Sequence, residues 1–326
     1  MNVELSIIIV NYNTFDLTLQ CIASVVKETN EIDYEIIVVD NASTEKPIDE
    51  IKNSYPSIQL IKNSINVGFG IANNMGMQAA KGNYILLLNS DTIIIEQGIT
   101  KAYQYIKQHP NVDVLTCKQL NEDRKPFVPF TFYFKTNSIL SYLINNPIQQ
   151  LIKSKLSNSK PTELNKNSFV KSLSGAFMLL KKEVFATTRG FDPDFFIYYE
   201  ETEWCMRINK NYKQYYLNDI SFIHLHGKSA PRLLMQKQMH LSQGLFWYKS
   251  GYVNYFLFLL ITYLIYLPSW VLLAVIAIKP SSRNHFLKYV KIYLSLSSLF
   301  FTEILKYKNG FGKRIVSLKI SELSNV

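Results

Sequence analysis

Three places in this 326-residue chain hold carboxylates in settings that could do chemistry: Asp40, Asp91 and the run Glu200-Glu201-Thr202-Glu203. Asp91 closes the run Tyr84-Ile85-Leu86-Leu87-Leu88-Asn89-Ser90-Asp91, an apolar stretch that ends in polar side chains. Such a run reads as a buried parallel strand that delivers its last residues to the carboxyl edge of a sheet, where open α/β folds place their ligands. A hard carboxylate there suits a divalent cation held against phosphate oxygens; equally, Asp91 could cap the element that follows. Asp40 closes a second apolar run beside Asn41, where it could accept hydrogen bonds from a pyrimidine imide or a ribose hydroxyl. The glutamate cluster could supply a general base for an attacking hydroxyl. A nucleotide pocket, a cation and a base together describe group transfer from a nucleoside diphosphate.

The surrounding pattern supplies a frame for these groups. Strands are expected at Leu5–Val10, Tyr34–Val39, near Ile58–Lys62 and from Tyr84. Helices are expected at about Leu17–Lys27, Ile48–Ser54 and Ile71–Ala80. Strands separated by short helices predict an α/β fold with a doubly wound, mostly parallel, Rossmann-like sheet. Each strand runs out into Asn, Asp or Gly, and a purely structural sheet has no need of a polar edge. Gly68-Phe69-Gly70-Ile71-Ala72-Asn73 resembles a dinucleotide fingerprint, but Asn73 stands where the last glycine belongs and the first strand does not precede it. From Lys118 to Lys171 the pattern loosens into polar clusters around aromatic patches, a variable region with a possible acceptor-side role. Beyond it a strand is expected over Ser174–Leu180 and a helix over Glu203–Asn211, with Arg207 pairing with Glu203 one turn away. Cys21, Cys117 and Cys205 are too scattered for a disulfide framework or a zinc site, and Cys205 reads as a small buried residue. The setting expected is reducing, with no secretory signal, because the first apolar run is short and follows an acid.

The net charge of +10 is concentrated late in the chain: from Lys279 onward there are nine basic residues against two acidic ones. Just before them, Tyr252 to Ile278 carries no charge. Apolar surface with a basic flank predicts a membrane partner rather than nucleic acid. As a straight helix this run would be roughly 40 Å long, more than a ~30 Å hydrocarbon core needs, and Pro268 interrupts it. A membrane-embedded or membrane-lying helical hairpin is the first reading, a spanning pair the second, and a buried core helix the third. The expected division is a catalytic domain over 1–235 and a membrane-associated helical region with a basic tail over 236–326.

The motifs, taken together, resemble family 2 glycosyltransferases of GT-A fold, nearest the rhamnosyltransferase-like branch. The blocks that carry the resemblance are Ser6 to Asn13, Val38-Val39-Asp40-Asn41-Ala42-Ser43, Asn66-Val67-Gly68-Phe69-Gly70 with Asn73, and Leu88-Asn89-Ser90-Asp91. They continue with Ser174-Gly175-Ala176, Gly190-Phe191-Asp192, Tyr199 to Arg207, and His224-Leu225-His226-Gly227-Lys228-Ser229. The resemblance implies that Val10, Asn11 and Asp40 hold the nucleoside, and that Asn66, Gly68 and Asn73 lie near base, ribose or phosphates. Asp91 would bind Mg²⁺ or Mn²⁺ in a D-x-D-like motif with Asn89 in its first position, and His224 would complete the metal site. Glu201, with Glu200 beside it, would be the base. Two departures stand out. Positions 201 and 203 are usually Asp in the family, and the extra methylene of Glu moves each carboxylate by about 1.5 Å. The Gln-x-x-Arg-Trp motif of processive synthases is absent, which favours one sugar per encounter. The implied activity is inverting, metal-dependent transfer of a sugar, with a rhamnose-like deoxyhexose favoured. The donor would be a dTDP- or UDP-sugar and the acceptor a lipid-linked glycan, on the cytoplasmic face of a bacterial inner membrane during surface polysaccharide synthesis. A non-catalytic nucleotide-sugar-binding subunit of an assembly complex is the alternative.

Overall fold

The computed structural model describes residues 3–127, 139–144, 148, 166–225 and 232–306. His226 to Ser229, the aromatic patch beyond Phe127 and the end of the basic tail after Lys306 lie outside these residues. The chain divides into two compact units. The first takes in 1–135, 163–196 and 200–230; the second takes in 136–162, 197–199 and 231–326.

The first unit is a nine-stranded mixed sheet covered by helices. In chain order its elements are β1 (Leu5–Asn11), α1 (Phe15–Glu28), β2 (Tyr34–Asp40), a short turn of helix running into α2 (Ile51–Ser54), β3 (Gln59–Lys62), α3 (Phe69–Ala79) and β4 (Tyr84–Asn89). Next come β5 (Thr92–Ile94), α4 (Gly98–Gln108) and β6 (Val114–Leu120). In the second unit α5 (Ile139–Ile144) follows. The first unit resumes with β7 (Ser168–Val170), β8 (Phe177–Lys181), α6 (Lys182–Thr188), α7 (Glu200–Ile208) and β9 (Gln214–His224). The spatial order is β3-β2-β1-β4-β8-β6-β9-β5, with β7 also on β9.

The first four strands of that order are parallel. Their near-continuous apolar sequences follow from burial on both faces. Ile7, Ile9, Val38, Leu86 and Leu88 pack beneath α1 and α4. Their neighbours Ile8, Ile37, Val39, Ile85 and Leu87 pack on the other side with α3, α6 and α7. The rest of the sheet mixes directions: β8 is antiparallel to β4 and β6, β9 is parallel to β6, and β5 and β7 are antiparallel to β9. The order 3-2-1-4 reverses at β1, so the crevice beside the carboxyl ends of β1 and β4 is the topological switch point.

The second unit contains α8 (Arg232–Lys249), α9 (Tyr252–Ile261), a π-helical turn at Thr262–Tyr266, α10 (Leu267–Ile276) and α11 (Pro280–Lys306). The π turn stands directly ahead of Pro268, and the Leu267 N–H donates to the Thr262 carbonyl five residues back. α11 runs back along α9 and α10: Trp270 stacks on Tyr289 at 4.3 Å, Tyr266 meets Tyr293 at 6.4 Å, and Phe258 meets Phe300 at 5.7 Å. The two arms thus form a helical hairpin, a pairing common to the membrane-lying hairpin and the spanning pair expected from the sequence. Among the described residues, Tyr252–Ile276 is the one helix long and apolar enough to cross a membrane, and only 39% of its most apolar stretch is buried within the protein. That exposure argues against a buried core helix.

Candidate active site

The site is assembled from loops at the carboxyl ends of β1, β2 and β4 and from the end of β9. Asn11 and Asp40 are register partners on neighbouring strands, as are Val10 and Asn89. The Asn11 amide is filled from within: Nδ2 donates to Asp40 Oδ1 and to Ser43 Oγ, each at 2.8 Å. Its Oδ1 accepts from Thr14 Oγ1 at 3.1 Å and Thr18 Oγ1 at 2.7 Å. Asn11 therefore positions Asp40, and its side chain has no polar atom to spare for a ligand. Thr14 Oγ1 lies 3.0 Å from Ser90 Oγ, which ties the β1 loop to the turn bearing Asp91.

Asn66 and Gly68 belong to a second cluster. Asn41, buried beside Asp40, donates from Nδ2 to Asn66 Oδ1 at 2.7 Å and to the Gly68 carbonyl at 3.3 Å. Its Oδ1 accepts from Asn63 and from the Val67 N–H. Gly68 has φ +89°, and a Cβ there would lie 2.4 Å from the Phe196 carbonyl oxygen. The glycine is thus required by close approach of the chain leading into α7, as well as by its backbone angle. Asn73 is buried and donates back to the Phe69 carbonyl at 3.0 Å. Neither this clamp by Asn41 nor the contact with Phe196 shows in the sequence, because both join residues far apart in the chain.

Asp91 lies in the tight turn between β4 and β5. A strand follows it, so there is no helix for it to cap. Its Oδ1 is 2.9 Å from His224 Nε2, and Asn89 Nδ2 is 3.5 Å from the same nitrogen. Asn89 Oδ1 is buried without a hydrogen-bond partner. On the far side of the imidazole, Gln119 Nε2 is 2.9 Å from His224 Nδ1. Among the described residues no group of three His, Cys, Asp or Glu side chains could hold a metal. The set Asp91 Oδ1, His224 Nε2 and the orphaned Asn89 Oδ1 nevertheless fits a hard divalent cation that takes its remaining ligands from phosphate and water. As placed, Gln119 donates to Nδ1, which leaves the imidazole proton on Nε2, directed at Asp91. With the Gln119 amide turned over, Oε1 would accept an Nδ1 proton and free the Nε2 lone pair for a cation. Gln119 sits mid-strand in no motif, and nothing local in the sequence marks it.

The three glutamates of α7 separate by environment. Arg207 binds Glu203 through two contacts of 2.7 Å and also donates to the carbonyls of Thr188 and Gly190. Glu203 is therefore tied down, as the one-turn spacing predicts. Trp204 anchors the same helix, buried against Phe191 and donating to Thr188 Oγ1 at 2.7 Å. Cys205 is buried, and its sulfur accepts from the Leu173 N–H. The helix begins at Glu200, three residues earlier than the sequence pattern suggests, after Tyr198 and Tyr199 at φ +69° and +67°. Two bulky residues in succession in the left-handed region store strain at the entry to a carboxylate-bearing turn. Glu200 is only 2% exposed, Glu201 is half-buried, and one carboxylate oxygen of each is buried without a partner. Burial, reinforced by the Glu201 charge, pushes Glu200 well above the usual carboxylate range. Burial raises Glu201 in the same direction.

The sequence profile of glycosyl transferase family 2 matches residues 6–188, more than half of the chain. The chain belongs to this family. It is 30% identical over 178 residues to a poly(ribitol-phosphate) beta-glucosyltransferase of Bacillus spizizenii, a match covering 53% of this chain and 28% of that protein. It is 28% identical over 202 residues to glycosyltransferase GlyG of Streptococcus pneumoniae, covering 60% and 64%. Rhamnosyltransferase WbbL of Escherichia coli is 24% identical over 185 residues, covering 54% and 66%. The chain thus spans between about a quarter and two thirds of the length of these relatives. Among solved structures, Staphylococcus aureus TarS 1-349 superposes with a TM-score of 0.52 at 15% identity, covering 98% of this chain and 83% of that one. GalNAc-T7 with UDP, GalNAc and Mn²⁺ gives 0.53 at 18% identity, covering 75% and 48%. At such identities the likeness is one of fold, and the fold is GT-A.

Two outcomes follow from this geometry. Gly68→Ala should cost about 1–3 kcal/mol of stability from backbone strain alone, more if Phe196 cannot withdraw, read as a lowered midpoint in urea unfolding. The raised carboxyl of Glu200 makes its stabilising contribution complete below the unfolded value near 4.5 and loses it as pH climbs through the folded value. Glu200→Gln, which mimics the protonated form, should match wild-type melting temperature at pH 4. It should then exceed wild type by a margin that widens toward pH 8, measured by calorimetry across that range.

Proposed function

We propose that this chain is an inverting, divalent-cation-dependent glycosyltransferase that moves a sugar from a dTDP- or UDP-sugar to a hydroxyl of a lipid-linked glycan. The observation that carries the reading is the contact of Asp91 with His224 beside the orphaned oxygen of Asn89, at the switch point of a family 2 sheet. A divalent cation held by these three residues would supply charge neutralisation to the leaving diphosphate. Asp40, held in place by Asn11 and Ser43, faces the nucleoside, with Val10 next to it. The loop from Asn66 to Gly68, fixed by Asn41, and Asn73 behind it shape the phosphate side.

Glu201 is the base. It is half-buried where Glu200 is sealed and Glu203 is paired, and a raised carboxyl matches proton abstraction near neutral pH better than an ordinary one. The acceptor hydroxyl gives its proton to Glu201, and its oxygen forms a bond to the anomeric carbon as the bond to the diphosphate breaks on the opposite face. A single displacement of this kind inverts the anomeric centre. Beside it, burial holds the Glu200 carboxyl well above the usual carboxylate range, which opposes a second negative charge in the pocket.

The relatives named for poly(ribitol-phosphate) glycosylation and for rhamnosyl transfer support a glycan acceptor in surface polysaccharide synthesis, and WbbL supports a rhamnose-like deoxyhexose. The apolar hairpin and its basic flank support a place on the cytoplasmic face of a bacterial cell membrane.

The decisive assay supplies the purified chain with a panel of nucleotide sugars and lipid-linked glycan acceptors and measures release of nucleoside diphosphate, with and without Mg²⁺ or Mn²⁺. Release should require both acceptor and cation. Glu201→Gln should lower turnover by about a hundredfold to ten-thousandfold with nucleotide affinity unchanged by calorimetry. Asp91→Asn should lose the cation-dependent part of that affinity. Nucleotide binding without release from any donor would instead identify a non-catalytic subunit.

A further inference from the structure

The helical unit holds a cavity that none of the foregoing uses. Between α8 and α11 lies a groove of about 500 Å³, lined by Lys237 from α8 and by Asn284, Leu287, Lys288, Lys291, Ile292 and Ser295 from α11. Its volume is in the range of ligand sites, roughly 300–1,000 Å³. Three lysines line it and, among the described lining residues, none is acidic. Like charges gathered around one cavity raise its positive potential and favour an anion among them. The surroundings add to the field: from 232 to 306 the sequence holds eight Lys and Arg and a single acid, Glu303.

The groove is not purely polar. Leu287 lines it and is 40% exposed; Leu294, seven residues on, is 55% exposed. Lys291 lies four residues from the first and three from the second, so charge and exposed apolar surface share one face of α11. The same hairpin exposes Tyr252, Val253, Leu264, Val275, Ile276 and Ile278. A free phosphate would use the lysines and leave this apolar surface in water. An amphiphile uses both.

We propose that the groove binds the phosphate of an anionic lipid headgroup, with Lys237, Lys288 and Lys291 around the phosphate and Leu287 and Ile292 against the start of the lipid's apolar part. The proposal rests on the membrane-associated reading above, but it is independent of the sugar-transfer chemistry.

The test uses the full chain and two vesicle compositions, phosphatidylcholine alone and an equimolar mixture with phosphatidylglycerol, with partition read by sedimentation at low salt. Wild type should prefer the anionic vesicles. Changing Lys237, Lys288 and Lys291 together to Gln should weaken that partition by roughly a hundredfold, at about fivefold per lysine near an anionic surface, with the melting temperature checked to show that the variant folds. The triple Arg variant should keep the preference. Because the groove variant and the control below each remove three positive charges, a loss confined to the groove variant reports the groove. A control replacing Lys249, Lys279 and Arg283 with Gln should lose far less; an equal loss would show diffuse charge and overturn the site. Equal binding of wild type to both vesicles would also overturn it. So would competition by inorganic phosphate at concentrations too low to screen charge, since that marks a soluble ligand. Nucleoside diphosphate release in solution should be unchanged in the groove variant, so failure here and failure of the enzyme reading are distinguishable.

Discussion

The amide of Asn11 is the joint on which the site depends. It sits fully buried at the end of the central strand, and each of its hydrogen-bonding capacities is taken by a residue from another part of the loop cluster. An unmade hydrogen bond at that depth costs more than a made one contributes, so the four partners are fixed as a set. Asp40 is aimed, the Ser43 turn is closed, and Thr14 is held where it can reach Ser90. Through that last contact the nucleoside side and the Asp91 turn share one framework. Replacing the amide with a carboxylate of the same shape would set a like charge against Asp40 and remove both donors at once.

Much of this architecture is legible in the sequence because it is local. The parallel strands are short apolar runs bounded by turn residues, and their order of burial follows from alternation on a sheet covered on both sides. The residues at their carboxyl ends can be named from one-dimensional pattern alone, and so can the Glu203–Arg207 pair, which a helical turn brings together. What escapes is non-local or irregular. β9 hides because Asn218, Asp219 and Ile220 loop out between Leu217 and Ser221, opposite consecutive Cys117 and Lys118, and break its alternation. β5 and β7 are three residues each, too short to register as periodic. Gln119 meets His224 across 105 positions, and Asn41 reaches across 25 to Asn66. Such contacts exist only once the sheet has closed.

The acidic cluster shows how one stretch of like residues is given different tasks. Four consecutive positions hold three glutamates on the first turn of a single helix, where the exposed N–H groups favour negative charge. Arg207 then takes one of them as an anchor, sharing its guanidinium with two backbone carbonyls. The two left over compete for a poorly solvated space that does not accept two charges. The resemblance noted in the sequence leads one to expect the shorter Asp at positions 201 and 203. Here the longer Glu203 makes a two-point contact with Arg207.

The π turn ahead of Pro268 has a consequence for how the hairpin is encoded. A five-residue turn is a helix with one residue more than its regular path requires. The turn absorbs that residue, so deleting one from Thr262–Tyr266 would restore an ordinary α-helix and leave what lies beyond it near its present face. A deletion in the regular helix between the turn and Trp270 would instead rotate Trp270 by about 100°, away from Tyr289. The turn is therefore the stretch of this arm that can take up a change of length, where the regular helix on either side cannot.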